Sequence, residues 1–157
     1  MQTAAPPIGL AQSVLQLRSA TSEDIDWLYD TFKTTMGEYI EKTWGWDELL
    51  QRHSFEQNLP PASFLIASIN DEDLGACSLI EKRDSLHLEI ALIIEEKQGQ
   101  GIGRQLLLEI QQRARAIHKP ILLSVLKINP AVRFYKRLGF EVYDQDQWSF
   151  KMRWSQI

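Results

Sequence analysis

Apolar residues change their spacing along the chain, and the changes divide it into elements. Val14–Arg18 alternates apolar and polar and predicts a short strand. Ile25, Leu28, Tyr29 and Phe32 recur at helical spacing. Thr21 or Ser22 can cap that helix, with Glu23, Asp24 and Asp26 in the first turn, where the helix dipole favours acids. The pattern predicts a helix through about Phe32, a second short helical piece over Met36–Lys42, and a third helix from Trp46 to about Gln57. Pro60-Pro61 ends that region, since proline cannot continue a helix and pushes its predecessor toward extended backbone.

The period then becomes two. Ser63–Ile69, Leu74–Lys82 and Leu86–Ile94 predict three strands joined by polar turns at Asn70–Asp73 and Lys82–Ser85, an antiparallel meander. In the third strand positions 86, 88, 90, 92 and 94 are all Leu or Ile and predict one apolar face. His87, Glu89, Ala91 and Ile93 form the other. A glycine-rich turn, Gln98–Gly103, opens a helix to about Ile117, with Ile102, Leu106, Ile110, Ala114 and Ile117 as its buried stripe. Ile121–Leu126 predicts a strand. Pro130–Leu138 predicts a helix with Asn129 as cap and Gly139 as stop. Two strands, Phe140–Tyr143 and Gln147–Trp154, close the chain. The order β, two or three helices, βββ, α, β, α, ββ predicts an α+β or three-layer α/β domain with a mixed sheet. The unit over 86–126 is expected to be a parallel crossover.

Composition narrows the class. The 157 residues are 44% hydrophobic and 24% charged, which suits one globular domain with a real core. We expect a loose tail over 1–13 and a single domain over 14–157. Cys77 is the only cysteine, so neither an internal disulfide nor a cysteine-based zinc site is expected. No apolar run approaches the ~18 residues of a spanning helix, and the N-terminus lacks a basic segment followed by an apolar one. The expectation is a cytoplasmic protein without a membrane or metal partner. Net charge is −4, but unevenly spread: residues 1–80 hold 4 basic against 12 acidic residues, and residues 97–137 hold 9 basic against 1 acidic. So basic a stretch suggests a local anion site, or a solvated helix face. The pI near 5.4 and the lack of a helix-turn-helix or zinc pattern argue against nucleic acid as partner.

The candidate chemistry begins at Gln98-Gly99-Gln100-Gly101-Ile102-Gly103-Arg104. Glycines between an apolar strand and a helix let the backbone approach a ligand, and the free N–H groups at the helix start can cradle a diphosphate. No Gly-Lys-Ser/Thr completes a nucleotide P-loop, and the turn follows a meander, which disfavours a dinucleotide fold.

This segment resembles the Gln/Arg-x-x-Gly-x-Gly/Ala signature of the GNAT superfamily of N-acetyltransferases. Leu123–Phe140, LSVLKINPAVRFYKRLGF, resembles that family's second conserved block. Tyr39–Glu48, YIEKTWGWDE, is similar to a recurring segment of one poorly characterised bacterial branch. The resemblance spans roughly residues 14–154. It implies the GNAT-like acyl-CoA N-acyltransferase fold, a strongly twisted mixed sheet whose central parallel strands splay, flanked by helices. It implies acetyl-CoA as cofactor, its pantetheine arm pairing with backbone groups of Leu92, Ile93 and Ile94 and its pyrophosphate on the N–H groups of Gln98, Gly99, Gln100, Gly101, Ile102, Gly103 and Arg104. It further implies direct attack by an amine in a ternary complex, an oxyanion donor near Ile93, Tyr135 as the acid that protonates the thiolate, and Asn129 beside the pantetheine arm. Asn129 stands six residues before Tyr135, where many members have seven, and it can equally serve as a helix cap.

An amine must lose a proton before it attacks. Glu89 is the candidate base, working through water, with a purely orienting role as its alternative. His87 is a weaker candidate. The acceptor pocket is expected from Tyr39, Glu41, Trp44, Trp46 and Trp148. Glu38, Glu41, Asp47 and Glu48 beside the tryptophans suggest a small cationic or amphipathic amine, and packing of helix on sheet is the alternative use of these rings. The rival functions are a non-catalytic acyl-CoA-binding or sensor protein and an acetyltransferase acting on a protein amine. A homodimer is compatible with the family resemblance.

Overall fold

The computed structural model describes residues 14–156, so the tail expected over 1–13 lies outside the described residues. The chain opens with β1 (Gln16–Ser19) and a single 3-10 turn, Ser22–Asp24. Thr21 caps that turn through its side chain, and Asp24 Oδ2 accepts the Thr21 N–H at 2.8 Å. Two helices follow, α1 (Ile25–Trp44) and α2 (Glu48–Asn58). The meander is β2 (Phe64–Ile69), β3 (Glu72–Glu81) and β4 (Leu86–Ile93). Helix α3 (Ile102–Ala116), β5 (Ile121–Leu126), α4 (Ala131–Arg137), β6 (Glu141–Gln145) and β7 (Ser149–Trp154) complete it.

The strands form one sheet in the order β1-β2-β3-β4-β5-β7-β6. Every neighbouring pair is antiparallel except β4 and β5, which are parallel. Helices cover both faces. On one, Leu28, Phe32 and Ile40 of α1 and Phe55 of α2 bury against Phe64, Ile66 and Leu92. On the other, Leu106, Leu107 and Ile110 of α3 and Val132 and Tyr135 of α4 bury against Leu123, Val125 and Met152. Strand alternation supplies both cores at once: Phe64 and Ile66 face the first, Leu65 and Ala67 the second. This is the three-layer mixed sheet expected from the sequence.

Two expectations are corrected. The helical pieces to Phe32 and over Met36–Lys42 are one 20-residue helix, α1. Thr31, Thr34, Thr35 and Thr43 turn their hydroxyls back onto the carbonyls four residues earlier, which satisfies them within the helix and removes the break that polar residues suggest. The second correction concerns β4. Ser78 pairs with Ile90 and Leu79 with Leu88, leaving Glu89 as the extra residue of a bulge. The bulge reverses the faces. Leu86 and Leu88 point to the α3 core, whereas Ile90 and Leu92 point to the α1 core and Ala91 and Ile93 to the α3 side. The even-numbered positions therefore do not share one face. Both faces are apolar over 90–93, so the sequence pattern could not register the switch.

The pairing of β4 with β5 covers Leu86↔Ile121 and His87↔Leu122 and then stops. Past His87 the two parallel strands diverge, and the sheet opens at its centre.

Candidate active site

The opening between β4 and β5 holds a cavity of about 610 Å³. Its walls combine the end of β4 (Ala91, Leu92, Ile93), the glycine turn, the start of α4 and one face of α1.

Ile94 donates its N–H to the Leu74 carbonyl at 2.9 Å, toward β3. Its own carbonyl accepts from Lys97 N–H at 3.0 Å. Both backbone groups of Ile94 are thus engaged inside the protein, which corrects the expectation that they face a cofactor. By the alternation of an extended strand Leu92 also bonds toward β3, and the peptide groups of Ile93 turn to the opposite edge, where β5 has left the ladder. The Ile93 carbonyl there accepts the side-chain amide of Gln98 at 2.9 Å. Of the three expected backbone partners, Ile93 alone presents an N–H to the opening.

The turn after Glu95–Lys97 needs its glycines for their backbone. Gly99 has φ +78° and Gly101 φ +85°, the left-handed region that other residues rarely adopt, and a Cβ at either would meet no atom within 4 Å. Gly103 differs: a Cβ there would sit 3.4 Å from the Phe134 ring. No described carbonyl accepts the N–H groups of Gly99 through Arg104. They form the unsatisfied positive end of the 15-residue helix α3, a cradle suited to a diphosphate. Gln98, Gly99, Gly101, Gly103 and Arg104 line the cavity. The Ile102 side chain is buried in the protein, and Gln100 bonds back to the Glu96 carbonyl at 3.1 Å.

Tyr135 lines the same cavity from α4, flanked by the rings of Phe134 and Phe140, each with its centroid 5.5 Å away. Its hydroxyl has no hydrogen-bond partner among the described residues, and burial pushes its pKa up to about 12. A phenol so placed keeps its proton at neutral pH and can give it to a group entering the cavity. Asn129 also lines the cavity, and its Oδ1 accepts the Ala131 N–H at 2.9 Å, which shapes the entry to α4.

The other predicted residues divide. Tyr39 lines this cavity and a second one of about 530 Å³, which Trp148 also lines. Trp44 meets Trp148 edge-on, ring centroids 5.9 Å apart, and both remain exposed. Trp46 lines neither cavity. It packs on Phe32 and donates to Glu48 Oε1 at 3.0 Å. Glu48 also accepts from Tyr29 and Lys33 at 2.6 Å each; these donors hold its carboxyl down at about 2, Lys33 contributing most. Trp46 and Glu48 thus fasten α2 to α1. Glu41 is exposed and lines neither cavity. Glu89 is exposed on its bulge and lines neither cavity, so it reaches the opening only through solvent. Burial, reinforced by Lys82, lowers the pKa of His87, which lines neither cavity.

Sequence reasoning missed Thr35, Met36, Phe134 and Arg137 on the cavity wall. Thr35 and Tyr39 stand one helical turn apart, a signal that was available once α1 was known to be continuous.

Comparison with known proteins gives a consistent picture. Residues 20–154 match the family model described as acetyltransferase (GNAT) domain. No curated protein sequence matches the chain. Among solved structures, it is similar to the PaiA N-acetyltransferase from Thermoplasma acidophilum in complex with coenzyme A, at 19% identity and TM-score 0.74, over 91% of this chain and 99% of that one. It is also similar to the ribosomal-protein-S18-alanine N-acetyltransferase from Escherichia coli, at 17% identity and TM-score 0.68, over 92% and 96%. Ard1 from Thermoplasma volcanium aligns at 19% identity and TM-score 0.65, over 88% and 95%.

Proposed function

The chain belongs to the GNAT acetyltransferase family, an acetyl-CoA-dependent enzyme by that membership, and from this premise we propose that it transfers the acetyl group to a primary amine by direct attack in a ternary complex. The opening between β4 and β5 carries the reading. It joins, in one 610 Å³ cavity, an anion cradle at the glycine turn, the Ile93 N–H left without a β5 partner and a buried phenol at Tyr135. These features fit a ligand with a diphosphate at one end and a thioester at the other.

Acetyl-CoA, when bound, supplies the activated acetyl group. Gly99 to Arg104 hold the diphosphate through backbone N–H groups, and Arg104 and Arg137 on the cavity wall add positive charge. The Ile93 N–H donates to the carbonyl oxygen as it gains negative charge, a preorganised donor that needs no rearrangement. The amine nitrogen bonds to the acetyl carbon as the carbon–sulfur bond breaks, and the sulfur takes the Tyr135 proton. No carboxylate or imidazole lines this cavity among the described residues, so the proton of the attacking nitrogen leaves to water, with Glu89 acting only through that water. Tyr135 recovers its proton from solvent.

Release of free thiol from acetyl-CoA, followed with a panel of primary amines, tests the proposal. Calorimetry of acetyl-CoA alone provides the binding half of the test. Absence of binding would overturn the assignment of the cavity.

A further inference from the structure

The second cavity, about 530 Å³, lies where α1 ends and where the β5–α4 and β6–β7 connections meet. Tyr39 is the side chain common to both cavities, so the smaller one adjoins the site where an amine would be acetylated. Its remaining walls pair two lysines, Lys42 and Lys127, with the neutral polar side chains of Thr43 and Gln147 and the apolar surfaces of Ile128 and Trp148. No carboxylate lines it among the described residues.

The charges around it are unequal. Lys127 is half-buried, makes no ion pair among the described residues, and holds its Nζ 5.2 Å from the Phe150 ring centroid. The Lys136 ammonium lies 5.9 Å from the same centroid, also without an ion pair among the described residues. Neither Phe150 nor Lys136 lines the second cavity, and the two ammonium groups on that ring raise the positive potential beside it. Two acids stand nearby. Glu38 pairs with Lys42 at 3.3 Å on the exposed side of α1. Asp146 is kept ionised by the Trp148 and Ser149 N–H groups on its Oδ1 and attracts Lys127 and Lys151, but it forms no ion pair with Lys127 among the described residues. The acids that suggested a cationic acceptor, Glu38, Glu41, Asp47 and Glu48, are absent from the walls of both cavities.

We infer that the second cavity is the acceptor site and that the acceptor carries an anionic group, a carboxylate or a phosphate, at the end opposite its amine. Lys127 receives that group, and the Trp148 and Ile128 surfaces hold the carbon chain between the two ends. The inference rests on the reading of the first cavity as the acetyl-CoA site, and it replaces the cationic acceptor expected from the sequence.

Four amines of matched length separate the possibilities: butylamine, 1,4-diaminobutane, 4-aminobutanoate and 3-aminopropyl phosphate. Thiol release from acetyl-CoA is measured with each, using the full chain. At least one anionic amine should exceed both butylamine and 1,4-diaminobutane by roughly tenfold or more in kcat/KM, and the two anionic arms identify which group is preferred. Lys127→Glu should raise the KM of that amine about tenfold, leave the KM for acetyl-CoA within about twofold, and be rescued by Lys127→Arg. Preference for the diamine, no turnover of either anionic amine, or an unchanged KM in Lys127→Glu would overturn the inference. Acetyl-CoA failing to bind in calorimetry would instead overturn the reading of the first cavity.

Discussion

The side-chain amide of Gln98 donates to the carbonyl of Ile93 at 2.9 Å, tying the glycine turn to the last residue of β4. One bond thereby connects the anion cradle to the residue whose N–H faces the opening. Gln98→Ala should remove about 1 kcal/mol of positioning, or roughly fivefold in kcat/KM for acetyl-CoA, with little effect on global stability. Steady-state kinetics beside thermal unfolding separate the two effects. Unchanged kinetics would show that the bond has no part in catalysis.

Gly101 distinguishes backbone strain from ligand exclusion. Gly101→Ala forces a side chain into φ +85° but meets no neighbour, so it should cost about 1–2 kcal/mol in stability while acetyl-CoA still binds. Gly101→Glu places a carboxylate beside the N–H cradle and should abolish binding. Calorimetry on both variants, with circular dichroism to confirm the fold, checks the contrast.

Tyr135→Phe deletes a hydroxyl that has no partner among the described residues, so stability at neutral pH should change by less than about 0.5 kcal/mol. Turnover should fall roughly a hundredfold with acetyl-CoA affinity retained. The pH dependence has a definite sign. The folded pKa, about 12, lies above the ordinary 10.0, so the neutral phenol's contribution to stability is complete below pH 10 and is lost as pH rises toward 12. Wild-type turnover should show no alkaline fall from this group between pH 7 and 10. Above pH 10 wild type should lose stability relative to Tyr135→Phe, so thermal melts of the two, nearly equal at neutral pH, should diverge with the variant the more stable.

Glu48 gives the opposite sign. Its carboxyl is held at about 2, below the ordinary 4.5, by Lys33, Tyr29 and Trp46. Its contribution is present above pH 4.5 and is lost as pH falls toward 2. Glu48→Gln should melt below wild type at pH 6, and the gap should close by pH 2. A constant gap would mean that the charge is not what fastens α2 to α1.

Much of the architecture was legible because the elements carry strong periods and chemical punctuation. The apolar stripe of α3, the β5 run and the glycine turn were placed within a residue or two. The bulge at Glu89 was not legible, since Ile90–Ile93 is apolar on both faces and either register buries the same atoms. The unbroken α1 was missed because threonine hydroxyls bonding within a helix look, in sequence, like residues that end one. The cavity wall from α1 depends on how that helix crosses the opening. The tryptophans illustrate the same limit: Trp44 and Trp46 are two residues apart, yet one meets Trp148 at the second cavity and the other locks onto Glu48. Helix geometry after Gly45 decides this, not residue type.

The parting of β4 from β5 after two paired positions leaves the sheet with an interior seam that the chain itself does not close. A pantetheine arm, with its own amide groups, is chemically a short length of backbone, and seating it there would finish the ladder. The resting enzyme should accordingly be the softer form, and its melting temperature should climb with the logarithm of coenzyme concentration once that exceeds the dissociation constant. Amide exchange in the flanking stretches, Ala91–Ile93 and Leu123–Leu126, should slow in step, since the molecule borrows from its ligand the stiffness that its own hydrogen bonds leave out.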